Sequence, residues 1–310
     1  MAHLSGIISK ISGSAGNLTF QRSNGMTYIR EKVTQVANPR SEGQMRTRTK
    51  FTNIVAMYKG IRPLLKNGFE SKPKNLSDYN MFVKVNMQRT PVYLTKQAVA
   101  GGACVAKSYQ ITQGSLPSIV VTGSGNGAKT DIYLGGIILG ANTTVAQFSE
   151  AVVGNNPDYR YGDQISFFRV AQKTNEETSI PYCQFSASRV LLDASDTETK
   201  LWDIVNRAGF TAVDSVLGHS ESNFVGAFGW VHTRKTDGKT LVSSQSLVSA
   251  NDALLAQYQG DMAYNLAVSS YGQGQGAFLS PSAESAGTVG GNGGANTPDN
   301  PGGGGGNDSL

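Results

Sequence analysis

The sequence predicts an α+β protein: a basic β-hairpin and helix region, then a mainly β, sandwich-like domain, a C-terminal helix and a disordered Gly-rich tail. Three observations lead there. Residues 1–110 carry 17 Lys/Arg against 4 Asp/Glu, a net of +13, whereas residues 111–310 carry 10 against 18, a net of −8. Apolar residues recur at helical spacing between residues 51 and 65, but fall into short runs bounded by Gly, Asn and Asp after residue 115. The last 30 residues hold 10 of the 37 Gly and almost nothing apolar, so burial cannot offset the entropy of ordering them.

In chain order, residues 17–22 and 26–33 are β-like runs on either side of Asn24-Gly25, a pair that supplies the positive φ angles of a two-residue turn. Pro39 then breaks the chain. Ser41 followed by Gln44 is a capping-box pattern, and it opens a segment with Phe51, Ile54, Val55, Tyr58, Ile61, Leu64 and Leu65 at helical spacing. Gly60 and Pro63 end or kink that helix near residues 60–62. A second helix starts at Ser77 and carries Tyr79, Met81, Phe82, Val85 and Met87 as far as Thr90-Pro91. Beyond it, residues 118–122, 132–134, 164–170 and 224–233 read as strands. Asp237-Gly238 marks a hairpin that pairs 224–233 with 240–248. Short helices are expected over 144–153 and 197–205. A final helix is expected over 251–268, with Leu254, Leu255, Tyr258, Met262 and Leu266 on one side. Ala100-Gly101-Gly102 and the change of charge place the boundary near residues 100–115. The expected organisation is residues 1–110, 111–280 and the flexible tail 281–310.

Composition removes several function classes. Cys104 and Cys183 cannot build a disulfide framework or a Cys-rich zinc site, and His3, His219 and His232 cannot build a His-rich metal centre. No apolar run approaches the roughly 20 residues of a membrane helix, and the first ten residues are too weakly apolar for a secretory signal. No cofactor or metal is expected.

The motifs that carry chemistry each lack a required part. Gly123 to Thr130 resembles a phosphate-binding loop, but Ala128 stands where the second Gly belongs and a β-like run follows instead of a helix. Gly218-His219-Ser220-Glu221-Ser222 approaches a nucleophile elbow, yet Ser222 occupies the position of its last Gly. Cys104 and Cys183 lack CxxC spacing and read as buried, inert thiols. Asp193, Asp196 and Glu198 fit a solvated turn with a helix cap as well as a cation site. The chain is therefore expected not to be an enzyme.

The basic front has more physical content. Arg22, Arg30, Lys32, Arg40, Arg46, Arg48 and Lys50 lie within 29 residues, countered by Glu31 and Glu42 alone, and are the candidate contacts to a polyanion or an acidic partner. Asn38-Pro39-Arg40 is similar to the β-arm tip of histone-like DNA-bending proteins, although too few residues precede the hairpin for their helical dimerisation segment. Exposed aromatics on the β-body, Tyr159, Tyr161 and Trp230, offer a carbohydrate-binding alternative. Phe228 and Trp230 share one face of a strand, however, which favours a core position.

Several stretches together resemble a family of uncharacterised proteins encoded by Bacteroidota and their gut bacteriophages. They are Gly13 to Phe20, the Asn-Gly hairpin with Arg30, Asn38 to Gln44, Arg48 to Phe51, Ile61 to Leu64, Gly68-Phe69 and Ser77 to Phe82. Residues 224–248 resemble the last hairpin of that family's β-sandwich-like half. The resemblance carries no activity and no functional residues. It implies a non-secreted protein of the virion or host cytoplasm. The expected function is a structural or assembly protein, such as a connector, ring or tail-associated subunit of a bacteriophage virion. Its partners would be further copies of itself or other virion proteins. Nucleic-acid binding through the basic front is the alternative.

Overall fold

The computed structural model describes residues 2–4, 12–23, 26–32, 42–73, 76–250 and 252–271. These divide into two compact units, one within Met1–Glu42 and one within Gly43–Gln275. The Gly-rich tail, Asn24-Gly25, Asn38-Pro39-Arg40 and Ser41 lie outside the described residues.

The first unit is an antiparallel sheet of β1 (Ala2–Leu4), β2 (Gly13–Ala15), β3 (Leu18–Ser23) and β4 (Met26–Glu31), in the order β1-β4-β3-β2. Ser23 pairs with Met26, so the register is that of the expected two-residue hairpin. Period-2 alternation puts Leu18, Phe20 and Ile29 on one face and Thr19, Gln21 and Tyr28 on the other.

The second unit begins with α1 (Glu42–Ile61), α2 (Asp78–Asn86) and α3 (Lys96–Ala100). Ser77 caps α2 as expected, its Oγ accepting the Asn80 N–H at 3.2 Å. Then come β5 (Gln110–Thr112), β6 (Val121–Thr122), β7 (Lys129–Tyr133) and α4 (Val145–Asn155), the last opened by a reciprocal Thr144–Gln147 capping box. They are followed by β8 (Gln164–Thr174), β9 (Pro181–Leu191), α5 (Leu201–Ile204), β10 (Thr211–Val213), β11 (Val216–Gly218), β12 (Gly226–Thr236) and β13 (Lys239–Val242). The unit closes with β14 (Gln245–Ser246), β15 (Val248–Ser249), α6 (Asp252–Gln257) and α7 (Gly260–Ser270).

Strand alternation makes three layers of this unit. The main antiparallel sheet runs β13-β12-β8-β9, and β15 also pairs with β12. One of its faces presents Ile165, Phe167, Phe228 and Trp230 to the second sheet, β10-β11-β7-β6, and to α4. Together they form a sandwich core with Ile132, Phe148, Phe210 and Leu217. Phe168, Val170, Ala227 and Val231 point the other way, onto Ile54, Met57 and Ile61 of α1 and Phe82 of α2. This packing explains why the compact units part after Glu42 rather than near residue 110. α1 and α2 share a core with the sheet that follows them, and α3 packs with α6 and α7, so the change of charge does not coincide with a change of core.

Other differences have local causes. β9 escapes the sequence reading because this edge strand carries Gln184, Ser186 and Ser188 rather than an apolar run. The helix expected over 251–268 is divided into α6 and α7 at Gly260, which adopts φ +80°. The helix expected over 197–205 shrinks to the four residues of α5. At the other hairpin, Asp237 (φ +47°) and Gly238 (φ +73°) form the expected turn between β12 and β13.

Candidate functional site

The seven basic residues singled out by sequence do not share one face. In the first unit, Arg22 is opposite Thr27 and Arg30 opposite Thr19, which places the two arginines on opposite faces of the sheet. Both are exposed, as is Lys32, whose backbone N–H donates to Asn17 O at 2.6 Å. Arg40 lies outside the described residues. In the second unit, α1 buries Met45, Thr49, Asn53 and Met57 along one stripe. Arg46 and Lys50, one turn apart, flank that stripe and are half-buried, while Arg48 points to the exposed side. Burial raises the Tyr93 phenol against the pull of Arg46, and the Tyr271 phenol against that of Arg48.

The chemistry-bearing clusters are internal. Asp163, the residue before β8, accepts Nε and Nη2 of Arg234, both at 2.7 Å, Nε2 of His232 at 2.8 Å and the Arg160 N–H at 2.9 Å. Burial works to raise the Asp163 carboxyl, but the bonds from Arg234, His232 and the Arg160 N–H outweigh it and hold the group below its ordinary value. Burial lowers the His232 pKa against the pull of Asp163, and Nε2 is the atom that donates to the carboxylate. Its Nδ1 is buried without a partner, and the Tyr159 ring stacks on it at 4.4 Å.

A second imidazole is set the same way. His219 Nδ1 donates to Gly125 O at 2.9 Å, and the ring stacks on Phe228 with centroids 4.1 Å apart. Its Nε2 faces Glu221 at 3.8 Å without a hydrogen bond, because Arg169 holds that carboxylate, with Nε at 2.7 Å. Burial lowers the His219 pKa as well. Both imidazoles are 0 % exposed, so neither meets solvent. Among the described residues no group of three His, Cys, Asp or Glu is placed to hold a metal.

The remaining motifs resolve into structure. Gly123 to Thr130 is the β6–β7 hairpin, with Gly123, Gly125 and Gly127 at positive φ and Lys129 paired with Asp214. Asp193 Oδ1 accepts the Ser195 N–H and hydroxyl, and Asp196 Oδ1 accepts the Thr199 N–H, so both carboxylates organise a turn. Trp230 is fully buried and Tyr159 nearly so, which removes both from the expected aromatic platform, while Tyr161 is exposed. Cys104 and Cys183 are free thiols, and the Cys183 thiol donates to Cys104 O at 3.3 Å.

Sequence reasoning missed three groups. His232 and Arg234 alternate onto one face of β12, a signal that was present, but Asp163 is 69 residues from His232 and nothing local announces it. Lys107 is buried with its ammonium on Thr90 O, and burial next to Arg89 pulls it down to about 8. Glu70 lines a cavity of about 180 Å³ with Ser71, Met81 and residues 113–115. Its carboxylate accepts the Ser115 N–H at 3.1 Å and the Val242 N–H, which ties the α1–α2 connection to β13.

Among the described residues no helix is long and apolar enough to cross a membrane. No curated protein matches the chain, and no solved structure does. What the chain is similar to, over residues 10–151, is a family of unknown function, DUF6266, and that stretch runs from the N-terminal sheet through the helical layer into α4.

Proposed function

We propose that this protein is a non-enzymatic assembly subunit, a connector, ring or tail-associated component of a bacteriophage particle, which polymerises by charge-complementary packing of its own copies. One observation carries the reading. One face of the main sheet packs on α1 and α2 and the other on the β10-β11-β7-β6 sheet and α4, and the segments that supply the two sides differ in charge. The segment 43–110, which supplies α1 to α3, holds 12 Lys/Arg against 2 Asp/Glu, a net of +10. Residues 111–163 and 192–225, which supply β6, β7, α4, α5, β10 and β11, hold 4 against 10, a net of −6. A subunit with opposite charge on opposite layers docks front to back, and such heterologous contacts close into rings or run into filaments. An origin in Bacteroidota or their gut phages, which the sequence resemblance implies, agrees with a particle component.

Sedimentation velocity of the purified chain across a salt series tests this. Higher oligomers at about 0.05 M salt that dissociate by about 0.5 M are expected, because screening shortens the reach of these charges from ~14 to ~4 Å. A strictly monomeric chain at low salt and high concentration would overturn the reading. The same basic layer supports nucleic-acid binding as the second reading, with Lys50 and Arg46 one turn apart on α1 among its contacts. A salt-sensitive gel shift by a chain that stays monomeric would favour it over assembly.

A further inference from the structure

We infer that Cys104 and Cys183 are a dithiol switch: the folded chain closes them into one intramolecular disulfide on exposure to a low-molecular-weight disulfide of the glutathione type. They are the only two cysteines of the chain and lie 79 residues apart in sequence. Cys183 is opposite Gln172 in the β8–β9 register, on the face that packs against α1. The segment containing Cys104 meets the start of edge strand β9, where the Cys104 N–H donates to Pro181 O at 2.8 Å. The Gln172 side chain fixes both backbones. Its Nε2 donates to Cys104 O at 3.1 Å and to Tyr182 O at 2.9 Å, and its Oε1 accepts the Ala106 N–H at 2.7 Å. The Cys183 thiol donates to Cys104 O at 3.3 Å, and both cysteines belong to the apolar cluster that packs against α1. With the Cys183 sulfur already against the Cys104 carbonyl, and both backbones held by one amide, side-chain rotation rather than refolding brings the sulfurs to the ~2.05 Å of a disulfide.

The order of events follows from exposure. Cys183 is half-buried on an edge strand, whereas Cys104 is 5 % exposed. The Cys183 sulfur therefore attacks the small disulfide first, breaking its S–S bond, releasing one small thiol and forming a mixed disulfide. The Cys104 sulfur then attacks the Cys183 sulfur and releases the second small thiol. Two protein S–H bonds become one protein S–S bond, and the small disulfide is reduced to two thiols. The Cys183 hydrogen bond and burial raise the Cys104 thiol, which suits a resolving thiol better than an initial nucleophile. The bond would fasten the segment leading to Val105, a member of the small core with Val92, Leu94 and Leu255, onto β9.

The test equilibrates the reduced, full-length chain with glutathione buffers of rising oxidised fraction, folded or in urea, followed by alkylation and non-reducing peptide mapping. Trypsin separates residues 97–107, with Cys104, from residues 174–189, with Cys183. The expected product is these two peptides joined, less two hydrogens, in a monomeric chain. A loop of this length favours closure in the folded state by a factor on the order of a thousand over the unfolded chain. C104S is expected to stop at a glutathione adduct on Cys183, and C183S to leave Cys104 unmodified. The inference is overturned if wild-type chain also stops at the Cys183 adduct, if the link joins two copies, or if folded and unfolded chains oxidise at the same buffer ratio.

Discussion

Replacing Asp163 by Ala tests whether the buried Asp163–His232–Arg234 cluster holds the sandwich together. The carboxylate is 1 % exposed and accepts bonds from two side chains and one backbone amide. Its removal leaves the Arg234 guanidinium, itself only 17 % exposed, without its counter-charge, and His232 without the acceptor that orients it. Breaking a buried pair in this way costs about 3–5 kcal/mol. Because Arg234 keeps a bond to Asp158 O at 2.8 Å and some water, the lower end applies, about 3 kcal/mol. For a unit of this size that corresponds to a fall in Tm of roughly 6–12 °C. Thermal unfolding followed by circular dichroism measures it. D163N preserves the shape but presents an amide N–H to donors, so it should fall between D163A and wild type. K129A is the control, since it breaks the Lys129–Asp214 pair, in which Asp214 is 75 % exposed, and should leave Tm unchanged. A D163A protein within about 1 kcal/mol of wild type would refute the reasoning and reduce the cluster to a passive feature of the core.

Three further outcomes are expected. Stability should fall as pH drops below about 6.5, because His219 and His232 have depressed folded-state pKa values and the unfolded chain takes up their protons first, each steepening the loss by up to about 1.4 kcal/mol per pH unit. Asp163, also depressed, adds its own loss only below about pH 4, so urea unfolding between pH 7 and 5 isolates the histidines, and a flat profile there contradicts the assignment. G226A should cost at least about 2 kcal/mol, since Gly226 adopts φ +150° and an added Cβ would sit 2.0 Å from Val170 O, inside the β12–β8 ladder. N53A should cost about 3 kcal/mol by chemical denaturation, because Asn53 pairs both the N–H and the C=O of Val105, at 2.8 and 2.9 Å, and its loss strands two buried backbone groups.

Elements governed by local chemistry were legible in the sequence, and those governed by partners were not. Helix α2 follows from Ser77 and the spacing of Met81 and Phe82, and the β12–β13 turn follows from Asp237-Gly238, because caps and turns are decided within a few residues. Strand β9 was not legible, since eleven ladder pairs with β8 rather than its own composition make it a strand. The site was legible only in part. The basic residues were visible, but a list along the chain says nothing of faces, and Arg22 and Arg30 diverge by strand alternation while Arg46 and Arg48 diverge by helical pitch. Cys104 and Cys183 gave no sign of meeting, since their contact runs through Gln172 and the β8–β9 register.

The same divergence bears on what the charge can do. A nucleic-acid groove needs its cations converging on one track, because each phosphate contact counts only where the backbone passes. Docking between protein layers makes no such demand, since complementary potentials add over a broad surface and individual cations need no common focus. In the proposed assembly, the candidate residues on α1 belong to the second case. Arg46 and Lys50 are half-buried beside Met45 and Thr49, and Arg48 is exposed. What Arg46, Arg48, Lys50, Lys59 and Lys84 share is that α1 and α2 pack on one face of the main sheet, opposite the face that meets the β10-β11-β7-β6 sheet and α4. Neutralising any single cation should therefore weaken association only slightly, whereas reversing several across the layer should abolish it. That graded response separates layer docking from a focused binding groove, where one or two substitutions would suffice.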